Sequence, residues 1–186
     1  DNEIVMQAYS NGGTARYSEE DKYTLSMLSQ LVGASGLGEF TDTELQKALA
    51  GVQASVNPSI GRRTEKLTGT AVPKDLRTLF ELIYLHFQPL KRDDKAVASV
   101  MQQMAESLRN REANPLQAFS DTISTTMYGH NSQFVLMKEP DLEKVSYDRA
   151  LEIYQDRFAD ASDFTFVFVG SFDPDSIRYF SQQYLA

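Results

Sequence analysis

The sequence predicts an α+β fold in which helices cover one face of a mainly antiparallel β-sheet. Polar and apolar residues alternate in EIVMQAYS at the start of the chain, and again in two segments that meet near Ile60-Gly61. Alternation with a period of two is typical of half-buried strands, and the two middle segments indicate a hairpin. Several amphipathic helical segments separate these strands, and this order is typical of helices layered on a sheet.

The first half of the chain supplies most of the predicted sheet and two short helices. Asn11, Gly12 and Gly13 form a turn after the first strand. Ser18 is the predicted N-cap of the first helix, which the glycines after residue 32 end. The predicted core positions of that helix are Leu25, Leu28, Leu31 and Val32. Thr41 and Glu44 form a capping-box pattern for a second helix.

The second half is predicted to be mainly helical. KDLRTLFELIYLHF has a broad apolar face made of Leu76, Leu79, Phe80, Ile83 and Phe87. A longer helix is predicted over about residues 93–112, and the next begins at Asn114-Pro115. The apolar positions of the helix that begins at Asn114-Pro115 are Leu116, Phe119, Ile123 and Met127. Near the end, DFTFVFVG is apolar on both faces, which is typical of a strand in the middle of a covered sheet.

The composition is that of a soluble globular domain, and it argues against several other classes of protein. With 186 residues, 41% hydrophobic and 24% charged, the chain is expected to form one soluble domain over residues 1–186. A net charge of −8 argues against nucleic-acid binding, which requires clustered cations. The chain has no cysteine and no apolar run of membrane-spanning length, so we expect no thiolate site and no membrane insertion. Both ends look cut from a longer protein.

The sequence gives little support for a zinc site, a serine nucleophile or a phosphate-binding loop. The histidines, His86 and His130, lie far apart. The favoured interpretations are a partly buried helix residue for His86 and an exposed position after a turn for His130. The segment GASGLG lacks the G-x-S-x-G spacing of a serine nucleophile elbow and follows a helix. No phosphate-binding G-x-x-x-x-G-K-[ST] sequence is present. The basic residues Arg62, Arg63 and Lys66 are interpreted as part of a solvated strand.

One helix presents an unusual polar face. Ser26, Ser29 and Gln30 have the spacing i, i+3 and i+4, which places three small or neutral polar side chains on one side. A metal-binding helix would carry His, Glu and His with this geometry. The residues alone indicate either an ordinary polar face or a catalytic helix whose ligands have been replaced.

The chain resembles the M16 zinc metallopeptidases, the pitrilysin and insulin-degrading enzyme family, over nearly its whole length. The stretches that carry the resemblance are AYSNGGTARYSEED, ASGLGEFTDTELQKALAG, VPKDLRTLFELIYLHF, RNREANPLQAFSDTISTTMYG and LEIYQDRFADASDFTFVFVGSFDPDSI. The resemblance implies a metallopeptidase-like (LuxS/MPP-like) fold and a non-catalytic first domain of the C-terminal half of a bacterial member.

Catalytic domains of this family carry H-x-x-E-H on their first long helix and a third zinc ligand, a glutamate, on a later helix. The resemblance places that motif on residues 26–30, so Ser26, Ser29 and Gln30 replace both histidines and the catalytic glutamate. Glu106, seventy-six positions after Gln30, falls where the third ligand would be. No zinc is therefore expected in this chain, and zinc is expected in the catalytic half of its parent protein.

The resemblance also implies a role. In this family two homologous halves close around an unfolded peptide, and the inactive half walls the chamber. The implied partners are a catalytic half, in the same chain or in a second subunit, and a peptide substrate. A stand-alone peptide-binding or assembly subunit is the alternative, and an enzyme with an unrecognised site is a third. Exported bacterial relatives make the periplasm or cell envelope the expected location.

Overall fold

A computed structural model, which describes residues 2–129, 131 and 134–185, confirms the predicted α+β fold. The strands are β1 (Ile4–Asn11), β2 (Ala54–Ile60), β3 (Thr64–Ala71) and β4 (Thr165–Gly170). The helices are α1 (Lys22–Ala34), α2 (Asp42–Ala48), α3 (Leu76–His86), α4 (Asp94–Glu112), α5 (Pro115–Tyr128), α6 (Tyr147–Arg157) and α7 (Pro174–Tyr184). Short 3₁₀ turns lie before α1, α3 and α6 and before β4.

The described residues form two compact units. The first contains the described parts of Asp1–Arg16, Ser35–Arg92 and Leu151–Ala186, and therefore holds the strands together with α2, α3 and α7. The second contains Tyr17–Ala34 and Asp93–Ala150, and therefore holds α1, α4 and α5.

Within the first unit, the described strands form one antiparallel sheet in the order β2-β3-β1-β4. The predicted hairpin is present as β2 and β3, with Ile60 opposite Glu65 at its closed end. The opening strand β1 lies between two later ones, because Ile4 pairs with Ala71 on one side and with Gly170 on the other.

One face of this sheet is buried. In β1 every second side chain, beginning with Ile4, is buried, which is the period expected of a strand with one covered face. All the predicted apolar positions of the third helix are also buried. On α3, the Phe80 ring stacks on Phe168 of β4 with centroids 5.3 Å apart, and it lies 5.6 Å from Phe180 of α7. Aromatic contacts therefore link the sheet to two helices of its unit.

The prediction that β4 lies in the middle of a covered sheet is wrong for the described residues. β4 is an edge strand, paired with β1 alone. Its outward side chains Val167 and Val169 are 45% and 64% exposed. The sequence pattern is that of a central strand, whereas the position of the strand in this structure is peripheral.

The turn after β1 encloses a buried ion pair. Gly13 has φ +69°, and its N–H donates to the Glu65 carboxylate at 2.6 Å. The Glu65 carboxylate also faces Arg157, 3.9 Å away, and both side chains are buried. Arg62 and Arg63 lie in the exposed hairpin turn, outside the strands, so their interpretation as strand residues is wrong. The sequence motif NGG therefore closes over a buried carboxylate.

The helices of the second unit are partly exposed. On α1 the buried residues are Thr24, Met27, Leu28 and Leu31, whereas the predicted core residues Leu25 and Val32 are half-buried. Ser18 precedes a 3₁₀ turn, and its side chain makes no capping bond, so its prediction as the α1 cap is wrong. All four predicted apolar positions of α5 are exposed. A bidentate Arg111–Asp121 pair links α4 to α5.

Candidate functional site

The polar face predicted on the first helix is present in the structure. Ser26, Ser29 and Gln30 are exposed on α1, and the opposite side of the helix is buried. The Ser26 hydroxyl donates a hydrogen bond to the Tyr23 carbonyl at 2.8 Å, one turn earlier in the same helix. This hydroxyl therefore has a local partner of the kind that serines within helices often use.

Gln30 lines a groove between α1 and α4. The groove has a volume of about 380 Å³, and its α4 wall includes Gln103, Met104 and Ser107. Both helices belong to the second unit. Val100 completes the α4 wall, so the side chains that face Gln30 across the groove are an amide, a thioether, a hydroxyl and an aliphatic group.

Glu106 lies elsewhere on α4. Its side chain is exposed, and its carboxylate accepts a hydrogen bond from Gln102 Nε2 at 3.4 Å. The structure therefore brings Gln103 and Ser107 into the groove with Gln30, and Glu106 is not among the residues that line it. The sequence assignment of Glu106 to the third ligand position stays a prediction.

The groove residues could have been found from the helical period. Val100, Gln103, Met104 and Ser107 follow one another at spacings of three, one and three, so they lie on one side of α4. Counting seventy-six residues along the chain instead selects the neighbouring position 106. Position 106 is not one of the groove positions: it lies three residues after Gln103 and one before Ser107.

These side chains do not fit a catalytic zinc ion. Zinc sites use thiolate, imidazole and carboxylate ligands, and a catalytic site requires three from the protein. The α1 positions supply two hydroxyls and one amide, and the facing wall adds neutral groups. Among the residues that the structure describes, no group of three His, Cys, Asp or Glu is arranged to hold a metal ion.

His86 is a core residue of the first unit. Its Nδ1 lies 2.9 Å from the Tyr154 hydroxyl and its Nε2 lies 3.4 Å from the Val56 carbonyl oxygen. The Tyr154 hydroxyl donates its one proton to the His86 carbonyl oxygen at 3.0 Å, so the hydroxyl oxygen is left to accept from a ring that carries its proton on Nδ1. Burial lowers the pKa of His86 to about 4, against a smaller opposing effect of the Val56 carbonyl. The prediction that His86 is a helix residue is confirmed, and its side chain is more deeply buried than predicted, with 6% exposed. His130 lies outside the described residues.

In the described part of the chain, no helix combines the length and apolar character needed to cross a membrane. No protein-family model matches the chain. The chain is 28% identical over 186 residues to a zinc protease PQQL-like protein of Arabidopsis thaliana, of which it covers 17%.

Solved structures establish the fold. The periplasmic protease PqqL from Escherichia coli matches 99% of this chain with a TM-score of 0.81 and 20% identity. A mutant of the ferredoxin protease FusC, in complex with Arabidopsis ferredoxin, matches 99% with a TM-score of 0.73 and 20% identity. The match covers 20% of each of those two proteins. The resemblance to the M16 zinc proteases is confirmed at the level of the fold: this chain has an α+β M16-like domain fold, and it spans about a fifth of the length of the relatives and solved structures that it matches.

Proposed function

We propose that this chain is a non-catalytic, structural and substrate-enclosing domain of an M16-type zinc metallopeptidase that degrades peptides. The observation that carries the proposal is the exposed polar face of α1, made of Ser26, Ser29 and Gln30. The resemblance aligns these three residues with the ligand and base positions of H-x-x-E-H. A zinc peptidase needs a metal-bound water and a carboxylate base. Hydroxyl and amide side chains at these positions supply neither.

The proposed partner is a catalytic half that carries H-x-x-E-H and binds the zinc. It belongs to the same chain or to a second subunit, and the two halves together enclose a peptide substrate. The name of the Arabidopsis relative, a zinc protease, and the ferredoxin bound to FusC support a proteolytic role for the whole protein. The periplasmic location of Escherichia coli PqqL supports the periplasm or cell envelope as the location.

A second candidate is a stand-alone subunit that binds peptides or stabilises an assembly without peptidase activity. The exposed apolar side of α5 supports this candidate, because Leu116 and Phe119 are 81% and 66% exposed. Contiguous apolar surface of this kind marks interaction sites. A sequence H-x-x-E-H elsewhere in the reading frame that encodes the chain would favour the first candidate, and its absence would favour the second.

The test of the proposal is zinc stoichiometry on the purified chain after dialysis against limiting zinc, combined with a quenched-peptide cleavage assay. We expect no retained zinc and no cleavage. Stoichiometric zinc with chelator-sensitive cleavage would overturn the proposal.

Rebuilding the zinc ligands tests which α4 position corresponds to the third ligand. We expect the triple variant Ser26→His, Ser29→Glu, Gln30→His to bind zinc more tightly when Gln103→Glu is added, because residue 103 lines the groove with residue 30. The matched control adds Glu106→Gln to the triple variant and is expected to leave zinc affinity unchanged. Loss of zinc in that control would instead assign the third position to Glu106. Isothermal titration with zinc measures both.

A further inference from the structure

The two edges of the sheet differ in their chemistry. β2 and β4 are the outermost described strands. Natural proteins protect exposed strand edges with proline, charge or side-chain caps, because unpaired N–H and C=O groups recruit other strands. The presence or absence of such protection therefore shows which edge is exposed in the native protein.

The β2 edge is protected. Pro58 lies within β2 and has no N–H to offer. The Gln53 N–H, immediately before the strand, donates to the Asp75 carboxylate at 2.8 Å. The Val56 carbonyl lies 3.4 Å from His86 Nε2. Because the Gln53 carbonyl accepts from the Val72 N–H on the β3 side, Pro58 and the Val56 carbonyl are the two points along the free edge of β2 that are unavailable to an incoming strand.

The β4 edge has no such protection. Its sequence, TFVFVG, contains no proline and no charged residue. No β4 side chain is buried, although Phe166, Val167, Phe168 and Val169 are all strongly apolar. In the neighbouring strand β1, the inward side chain of Ile4 is fully buried. β4 thus has the apolar composition of an interior strand, and one of its two edges is unpaired among the described strands.

An apolar strip continues from β4 onto β1 on the outer face of the sheet. Val169 lies directly opposite Val5, which is 46% exposed, and Val167 is the next outward residue. The outward residues of β2 are polar by contrast: Ser55, Asn57 and Ser59. The apolar surface is therefore confined to the unprotected side of the sheet.

We propose that the free edge of β4 pairs with an extended β-strand supplied by the remainder of the longer protease, so that β4 becomes an interior strand. The added strand is apolar on both faces, because it must cover Val167 and Val169 on one side and Phe166 and Phe168 on the other. Relatives and solved structures of which this chain is 17–20% contain ample polypeptide to supply it. This inference rests on the proposed function, in which the chain is one part of a larger protease.

A single introduced thiol tests this pairing, because the chain contains no cysteine. Val167→Cys is compared with Ser59→Cys, an exposed position on the outer face of the protected edge. Maleimide labelling rates are measured in the 186-residue chain and in the longer polypeptide encoded by its reading frame. Val169→Cys serves as a second variant if Val167→Cys does not fold.

We expect both thiols to react at similar rates in the 186-residue chain. In the longer polypeptide we expect the thiol at position 167 to react more slowly, because the apolar side chains of the added strand cover it on the outer face. Backbone amides on the free edge of β4 should exchange at least about tenfold more slowly, because a paired edge exchanges only through local opening. The thiol at position 59 is expected to keep its rate. Amide exchange over residues 165–170 should slow in parallel, which separates strand pairing from simple coverage of the face.

Other occupants give different results. Equal labelling of both thiols in the longer polypeptide would overturn the proposal. Protection in the 186-residue chain that grows with its concentration would identify a second copy as the occupant, and protection only on addition of a peptide substrate would identify substrate. A longer polypeptide that is an active zinc peptidase with a reactive position 167 would contradict this inference and keep the proposed function. A longer polypeptide in which position 167 is protected but which has no zinc-binding half would support this inference and contradict the proposed function.

Discussion

At the scale of single residues, two buried polar groups of the first unit have measurable consequences for its stability. His86 and Glu65 both lie in the protein interior, and each has hydrogen-bonding or charged partners there. Buried polar groups stabilise a fold only while such partners are in place. The two residues therefore give direct tests of the packing described above.

His86 predicts a loss of stability in mild acid. Its pKa is about 4 in the folded protein and 6.5 when unperturbed, so the unfolded chain binds the proton more tightly. The free energy of unfolding should therefore fall as the pH falls from about 6.5 to about 4, by about 3 kcal/mol in total. The variant His86→Gln keeps a donor and an acceptor, and its stability curve should be flatter over this window. Denaturant titrations at several pH values measure the difference, and parallel curves would refute the prediction.

Glu65→Gln should destabilise the protein by removing the negative charge that faces Arg157. Breaking a buried ion pair from one side costs about 3–5 kcal/mol. The separation of 3.9 Å and the second contact of Arg157 with Asp156 place the expected loss near the lower end, at about 3 kcal/mol. Lys66→Gln, at the exposed neighbouring position, should change the free energy of unfolding by less than about 0.5 kcal/mol. Similar losses in both variants would show that the pair contributes nothing specific.

At the scale of elements, α2 depends on its first turn. The Thr41 side chain accepts a hydrogen bond from the Glu44 N–H, and the Glu44 carboxylate accepts one from the Thr41 N–H at 2.8 Å. Hydrogen bonds from Thr41, reinforced by Lys91, lower the pKa of Glu44 to about 2. This contribution is present above the ordinary pKa of 4.5 and is lost as the pH falls towards 2.

Thr41→Ala should therefore destabilise α2 by about 1 kcal/mol, because the helix loses its N-cap oxygen. Hydrogen exchange over residues 42–48 should accelerate accordingly. Thr43→Ala is the matched control, since Thr43 is exposed within α2 and alanine favours a helix more than threonine does. Faster exchange in the control than in Thr41→Ala would contradict the capping role.

Elements with local signals could be predicted from sequence. The capping box of α2, the apolar face of α3 and the hairpin all depend on residues close together in the chain, and all three are present. The place of β4 could not be predicted, because an apolar strand is assigned to the middle or the edge only by its pairing partners. The apolar side of α5 is exposed for a related reason: helical periodicity shows which side is apolar and does not show what covers it.

For the candidate site, too, the part that depends on local spacing could be predicted from sequence, and the part that depends on helix packing could not. The spacing of Ser26, Ser29 and Gln30 fixed their common face on α1 from sequence alone. The facing position on α4 depends on loop lengths and helix packing, which counting along the chain does not include. Because one residue turns a helix by about 100°, neighbouring positions 106 and 107 point to different sides of α4, and only residue 107 of the two lines the groove.

At the scale of the whole molecule, the acidic composition sets solubility. A net charge of −8 at pH 7 keeps molecules apart, and this repulsion disappears near the isoelectric point of 4.8. We expect light scattering of the purified chain to rise to a maximum near pH 4.8 and to fall again on further acidification. A variant with four exposed lysines changed to glutamine should shift that maximum to lower pH. Scattering that is independent of pH between 4 and 7 would contradict this electrostatic account.

The unequal edges of the sheet limit how far misassembly of this chain can proceed. Fibres grow when each added molecule presents a fresh edge like the one just consumed. Here the β2 side is terminated by Pro58 and its neighbours, so two copies that meet through β4 leave no receptive edge outward. Such a pair is closed by a twofold axis. Errors in assembly should therefore end in discrete dimers, and the chain contains its own stop against propagating cross-β aggregation.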